Sequence, residues 1–332
     1  MKTTLAILAA GLMLGTAGAT YAQDAFSIVY IGKNTGNPYF DSITGGFVDA
    51  CVEIGCQFEF VAPATAEATS QIPFIEAQIQ RGVDVIAIAP NSPDALNQVL
   101  DSAKAAGILV MTVNGDLVGN EEHRDASILP VDFTKTGPNQ VELAGSLIGY
   151  EGEIAILSAT TEAPDQNTWI AAMNDTLAND PKYANMKLVA TVYGDDQPEK
   201  STAEMEALLA NYPNLKAVIA PTTVGIAAAA QVVQSRGIAD QVAVTGLGLP
   251  SEMRDFIKDG TVEAFQLWSP YNEGVLAAYF AKGVLDGSIK NEVGETFEVP
   301  NLGTITIDPN NMMNTQAELT TFNAENIDDF DF

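Results

Sequence analysis

Residues 217–233 read AVIAPTTVGIAAAAQVV, and the order of residue types in this stretch decides the fold. Ala217–Ala220 is a short apolar run of the kind that fills a strand buried on both faces. Pro221, Thr222 and Thr223 break the run, and from Val224 small and apolar residues continue at helical density. Thr222 or Thr223 can cap the first turn, and Arg236-Gly237 closes the helix with a cation and a C′ glycine. The unit is therefore a strand, a tight polar turn and a helix. In an open parallel α/β sheet, ligands bind in the crevice outside the carboxyl ends of the strands. Pro221–Thr223 stands at such an end.

The same unit repeats on both sides of this stretch. Upstream, strands are predicted at Phe26–Ile31, Gln57–Val61, Val83–Ile88 and Ile108–Thr112, with a short one near Ala126–Leu129. Helices fall between them at Tyr39–Ile54, Glu67–Arg81 and Pro93–Ala106. After residue 129 the pattern restarts, with strands at Glu153–Leu157, Lys187–Val192, Ala217–Ala220, Val242–Thr245 and Val262–Leu267. The intervening helices are Asn167–Asn179, Glu199–Asn211, Val224–Arg236 and Pro250–Lys258. Tyr271–Leu285 is a further amphipathic helix, and the tail after Pro300 is less regular. Strands alternating with helices of this length mean parallel strands with crossover helices on both faces. The fold class expected is α/β, with two doubly wound parallel-sheet lobes joined by a three-segment hinge. Residues 23–129 plus 269–300 are assigned to the first lobe, and 130–268 plus 301–332 to the second. The crossings are expected near Leu129–Asp132, Leu267–Pro270 and Pro300.

A chain of 332 residues has core enough for two such lobes. Residues 1–22 read as an export signal instead: Lys2 gives the positive start, Leu5–Leu14 the short apolar core, and Thr20-Tyr21-Ala22 the small-residue cleavage pattern. The apolar run is too short to span a bilayer, so an exported protein without membrane insertion is expected. The 15 Lys+Arg stand against 43 Asp+Glu, and a net charge of −28 repels phosphate backbones and anionic membranes. Nucleic acid is thereby excluded as a partner. Cys51 and Cys56 lie five apart across a helix end, where an oxidising compartment would allow a small local disulfide; two half-buried thiols are the alternative. The single histidine, His123, is far from both, which argues against a metal site and against a Ser-His-Asp or Cys-His nucleophile. No cofactor is expected: GLGLPS at 246–251 lacks the third glycine of a dinucleotide fingerprint, and there is no phosphate loop.

The turns at the strand ends carry the chemistry. The first lobe offers Lys33 and Asn34, then Tyr39 and Phe40 after Asn37-Pro38, then Asn114 to Asp116. The second offers Asp165, Gln166 and Asn167 with Trp169, then Pro221, Thr222 and Thr223, then Leu247; Trp268 lies at the crossover. Acids, amides and a lysine beside aromatic rings suit a polyol, since planar polar groups take hydroxyls two at a time while ring faces cover C–H surface. Each residue also has a plainer reading. Asp165 and Asn167 could cap the following helix, Trp169 could be core, and one of Tyr39 and Phe40 could simply pack inward. Lys33 has the weakest plain reading, because a lysine directly after a buried strand has little structural reason to be there.

Taken in order, GNPYF, RGVDVIAIAPNSPDAL, GEIAILSAT, DQNTW, KLVATVYGDDQ, IAPTTVGIAAAA, VTGLGLPSEMRDFI, GTVEAFQLW and FNAENIDDFDF carry a resemblance. The chain resembles the periplasmic solute-binding proteins of the ribose-binding (type I) superfamily. More narrowly it is similar to the rhamnose-binding and autoinducer-2-binding branch of ABC importers, over nearly the whole mature chain. The resemblance implies a sugar ligand, an ABC permease with its ATPase as partner, a chemoreceptor as a second docking partner, a periplasmic location and a monomer. Family ligand positions fall on Lys33, Asp165, Gln166, Pro221 and Thr223, with the aromatics after Asn37. The autoinducer-2 pattern has alanine at 223 and aspartate at 114, and this chain departs at both. APTTVG and GLGLPSEM look like the rhamnose-binding members, whereas Asp165 resembles the autoinducer-2 side.

Two other classes compete. A sugar-responsive transcription regulator would need an N-terminal helix-turn-helix and basic residues, where this chain has a signal peptide. A secreted carbohydrate enzyme would use two acids across a cleft, and nothing beyond the turns points to turnover. The expectation is a non-enzymatic binding protein.

Overall fold

The computed structural model describes residues 25–332, so the export signal read over residues 1–22 lies outside the described residues. The first lobe is built on β1 (Ser27–Ile31), β2 (Gln57–Val61), β3 (Val85–Ile88), β4 (Leu109–Val113) and β5 (Ala126–Leu129). All pair in parallel, and their order is β5–β4–β3–β1–β2. Every residue of β3, β4 and β5 is buried, as the unbroken apolar runs predict for strands covered on both faces. Helices α1 (Pro38–Ile54), α2 (Ile72–Arg81) and α3 (Asn97–Ala105) make the crossovers. The second lobe repeats the plan with α4 (Phe133–Ile148), β6 (Glu151–Ser158), α5 (Pro164–Asn179), β7 (Asn185–Tyr193), α6 (Pro198–Asn211), β8 (Leu215–Ala220), α7 (Thr223–Arg236), β9 (Ala243–Gly246), α8 (Pro250–Lys258) and β10 (Ala264–Leu267). Its parallel sheet runs β7–β6–β8–β9.

Several boundaries differ from the sequence reading for local reasons. Helix α3 starts at Asn97 rather than Pro93, because the Ser92 hydroxyl accepts from the Asp94 and Ala95 amides and holds a turn there. Helix α2 starts at Ile72, with Pro73 in its first turn, rather than at Glu67. Helix α4 was not anticipated at all. FTKTGPNQVELAGSLI is poor in helix formers, but Asp132 caps its start by accepting from the Thr134 amide, and Gly149 at φ 72° ends it.

After β10 the chain returns to the first lobe. Helix α9 (Tyr271–Asp286) packs along α1, followed by β11 (Thr296–Val299), β12 (Gly303–Thr306), β13 (Met312–Asn314) and β14 (Thr320–Asn323). Strand β13 pairs in parallel with β5, as the outer strand of the first sheet, and β14 pairs antiparallel with β10. The third crossing is therefore at residues 315–319 and not near Pro300. Met312–Asn314 stands with the first lobe, where the sequence reading had put 301–332 in the second. The crossings are tied together: Thr315 donates to Leu129 O at 3.1 Å and, through its hydroxyl, to Pro130 O at 2.6 Å.

Two close approaches set the geometry of the site. A Cβ at Gly46 of α1 would lie 2.0 Å from Tyr271 O, and one at Gly274 of α9 would lie 2.1 Å from Ile43 O. The two helices thus touch backbone to backbone, the start of α9 lying against the middle of α1, with Glu273 in reach of Tyr39. At the other end of α1, Cys51 and Cys56 form a disulfide with their Cα atoms 4.6 Å apart.

Candidate functional site

Lys33 leaves β1 with its backbone held by amides that the sequence reading passed over. Asn91 Nδ2 donates to Lys33 O at 2.9 Å, and Gln71 Nε2 spans Gly32 O at 3.0 Å and Ala89 O at 2.7 Å. The lysine side chain crosses to the second lobe. Its Nζ reaches Asp165 Oδ1 at 2.6 Å, Asp165 Oδ2 at 2.7 Å and Gln166 Oε1 at 3.2 Å, which uses all three of its hydrogens. Lys33 and Asp165 are only 2% and 1% exposed, so this ion pair is shut away from water. Asp165 sits in the first turn of α5, whose N-cap is Ala163 without a side-chain bond. Its carboxylate serves Lys33 rather than capping.

A second group surrounds Tyr39. The Trp268 indole N–H donates to the Tyr39 hydroxyl at 2.7 Å, and Asn114 Oδ1 and Glu273 Oε1 each lie 2.7 Å from the same hydroxyl oxygen. Asn114 stands at φ 76°, a conformation asparagine tolerates, and its Nδ2 donates to Asp165 Oδ2 at 3.3 Å. Asn114 therefore has its carbonyl oxygen engaged by Tyr39 and its amide N–H directed at Asp165. Glu273 is completely buried, and burial pushes its carboxyl well above the ordinary 4.5. Burial likewise pushes the Tyr39 phenol well above its ordinary value.

On the second lobe, Thr223 Oγ1 donates to Asn37 Oδ1 at 3.3 Å, a further contact between the lobes. Thr222 is the N-cap of α7 in its backbone only; its hydroxyl donates instead to buried Asp196, whose carboxyl is raised by burial. The cavity so formed is lined by Lys33, Asn37, Tyr39, Phe40, Asn114, Asp165, Gln166, Trp169, Asp196, Pro221, Thr222, Thr223, Leu247, Leu267 and Trp268. Trp169 is both core and wall: it is 2% exposed and meets Trp268 edge-on at 5.7 Å between ring centres.

Three expected residues are not on this wall. Asn34 is buried beside it but does not line it. Asp116 turns away to Arg124, which grips it through Nε and Nη2 at 2.6 Å each. Asn167 faces outward and donates to Thr161 O at 2.8 Å, tying down the preceding loop. Asn37 and Leu267, which flank expected residues in their turns, also line the cavity, and Asp196 and Glu273 were not singled out. Glu273 did leave a sequence signal: it is an acid three residues after Pro270, at the head of the apolar run GVLAAYF. Among the described residues no group of three or more His, Cys, Asp and Glu is placed to hold a metal ion, and no helix is long and apolar enough to cross a membrane.

A model of the periplasmic binding protein domain matches residues 28–289, the span that contains every cavity residue and all of the second lobe's parallel sheet. The chain belongs to the periplasmic binding protein family. This periplasmic binding protein is 28% identical over 247 residues to the D-ribose/D-allose-binding protein of Pseudomonas aeruginosa, covering 71% of this chain and 75% of the relative. Among solved structures it is similar to a sugar ABC transporter protein from Actinomyces odontolyticus, with 42% identity, a TM-score of 0.73, and 92% and 98% of the two chains covered. It is also similar to an ABC transporter solute binding protein from Clostridium phytofermentas with bound L-rhamnose, with 34% identity, a TM-score of 0.87 and the same coverage.

Proposed function

We propose that this chain is the sugar-binding component of an ABC importer, taking a small neutral monosaccharide of the 6-deoxyhexose type in the cavity between its lobes. The observation that carries the reading is the pairing of Lys33 with Asp165 inside an aromatic enclosure. The pair presents a donor and an acceptor whose charges cancel, and Phe40, Trp169 and Trp268 offer ring faces for C–H surface. Similarity to the rhamnose-bound protein points the same way. Export through the N-terminal signal, a periplasmic location, a monomeric state and delivery to a permease with its ATPase complete the proposal. A chemoreceptor is a second docking partner for the same closed form. Binding without turnover requires that the sugar be recovered unchanged after incubation.

Autoinducer-2 is the second reading, favoured by Asp165. The departures from its pattern at Asn114 and Thr223 place it behind the sugar. A thermal-shift panel of L-rhamnose, fucose, ribose, xylitol and borate-free autoinducer-2, followed by calorimetry, decides between them. Stabilisation by autoinducer-2 alone would reverse the order, and silence across the panel would overturn the reading of the cavity. Contacts from both lobes favour the closed state, so in solution scattering any open fraction of the ligand-free protein should become compact on binding.

A further inference from the structure

The hydrogen bonds around Tyr39 can be counted, and the count is one hydrogen short. Two oxygens, Asn114 Oδ1 and Glu273 Oε1, each lie 2.7 Å from the Tyr39 hydroxyl oxygen, and a hydroxyl has one hydrogen to give. Trp268 supplies its N–H to the same oxygen, but that hydrogen satisfies neither oxygen–oxygen contact. Turning the Asn114 amide over would put its NH2 towards Tyr39. It would also set Asn114 Oδ1 against Asp165 Oδ2, now its acceptor at 3.3 Å and already the anion paired with Lys33. The missing hydrogen must therefore come from Glu273.

We propose that Glu273 is a neutral carboxylic acid that donates its hydrogen to Tyr39 and so acts as a positioning residue for the ligand cavity. The Tyr39 hydrogen then goes to Asn114 Oδ1, and the Asn114 amide is held with its N–H side towards Asp165 and the cavity. Tyr39 has no hydrogen bond left to give, and its ring serves as wall. What this does for a bound molecule rests on the sugar reading above; the protonation itself does not.

The placement of Glu273 agrees. It is the third residue of α9, where an acid usually reaches back to the amide of the N-cap residue, but that residue is Pro270, which has none. Among the described residues no donor reaches Glu273 Oε2, an arrangement that costs a neutral acid far less than an anion. The titratable groups facing it from the packed elements are Tyr39 of α1, Tyr30 of β1, Asp165 of α5 and Lys33 after β1. Burial is the largest influence, and it acts towards the neutral form.

The test compares the protein with Glu273→Gln, which is isosteric and still donates, and Glu273→Leu, which does not. If Glu273 keeps its proton in the folded state, the unfolded chain releases it above the ordinary value of 4.5. The folding equilibrium constant of the wild type should then fall, relative to Glu273→Gln, by about tenfold per pH unit above that value. A ratio that stays flat with pH overturns the proposal. Infrared spectra of wild-type protein carrying isotope-labelled glutamate should show a protonated carboxyl band at neutral pH that is missing from Glu273→Gln; absence of the band in the wild type also overturns it. With L-rhamnose as probe, Glu273→Gln should bind about tenfold or more tighter than Glu273→Leu, the effect of stranding a buried polar group. Equal loss in both overturns the positioning role. Failure of L-rhamnose to bind even the wild type counts against the sugar reading, and the pH and infrared readouts still decide on the proton.

Discussion

Replacing Asp165 with alanine tests the site at its centre. Lys33 directs three hydrogens at three acceptors, and two of those acceptors belong to Asp165. In Asp165→Ala only Gln166 Oε1 remains, and Lys33 is 2% exposed when the lobes are together. Stranding a buried charge in this way costs about 3–5 kcal/mol. The lobes can avoid that cost by parting, which returns Lys33 to water. The ligand-free melting temperature should therefore barely move, while ligand-free scattering should show a more open particle. Binding must then overcome the re-closure and also lacks the hydrogen bonds to the carboxylate, worth about 1.5–3 kcal/mol. L-rhamnose should bind more weakly by at least roughly 10- to 150-fold in calorimetry, the range from the lost hydrogen bonds alone. Lys33→Met should do equal harm by stranding Asp165 instead, whereas the double change Lys33→Met with Asp165→Leu removes both charges and should restore compaction but not affinity. Normal binding by Asp165→Ala, with a lowered ligand-free melting point, would refute this and make Asp165 merely an acid in the first turn of α5.

Gly46→Ala pushes a methyl group to 2.0 Å from Tyr271 O, so α1 and α9 must separate. The expected loss is about 1–3 kcal/mol by denaturant titration, with weaker sugar binding because Glu273 moves away from Tyr39. Breaking the Cys51–Cys56 bridge, whose cysteines are five apart in sequence, should cost about 2 kcal/mol by the loop-entropy relation, read as a lower melting temperature in reductant. The bridge lies at the far end of α1 from the cavity, so affinity should be unchanged. Glu142 is held down from 4.5 to about 2, chiefly by its hydrogen bond from Lys182 and then that from Tyr183. A lowered folded value means stabilisation that is complete above 4.5 and lost as pH falls towards 2. Glu142→Gln should remove that part of the acid dependence in pH-resolved melting curves.

Period and punctuation made most of the fold legible. The apolar runs ending at Ile31, Ile88, Val113 and Ala220 are all parallel strands, and each is followed by a polar turn at its carboxyl end. Lys33 and Asn114 could be picked out because a polar group directly after a buried strand has few structural uses. Helix α4 was not legible, since its stability comes from packing Gly137 against Trp169 and Met173 of α5 rather than from helix-forming residues. The place of β13 was hidden for a related reason: three residues pair with β5 from far along the chain, and no local pattern announces a long-range partner. Asp116 was misread because a strand-end acid looks the same in sequence whether it meets a ligand or an arginine, and Arg124 lies on a separate turn. Glu273 was missed because its role depends on two helices in backbone contact, a relation set by Gly46 and Gly274 together.

The direct ion pair between the lobes bears on where selectivity among sugars arises. On the proposed reading, a hydroxyl entering between Lys33 and Asp165 takes an acceptor that Lys33 already has and a donor that Asp165 already has. Hydrogen bonds are exchanged there, and exchange contributes little net free energy. The Tyr39 group changes even less, because its hydrogens are committed within the first lobe and at the crossover. The net gain must then come from groups that have no partner to give up: the faces of Phe40, Trp169 and Trp268, and the Trp169 indole N–H, which has no acceptor among the described residues. Covering apolar area is worth about 25 cal/mol per Å², or ~0.8 kcal/mol for each carbon group buried, while a hydroxyl buried against the same faces without a partner costs about 1–3 kcal/mol. The two effects act in the same direction. A sugar that presents a methyl group to these rings is favoured over its hydroxymethyl counterpart both by what it covers and by what it does not leave unsatisfied.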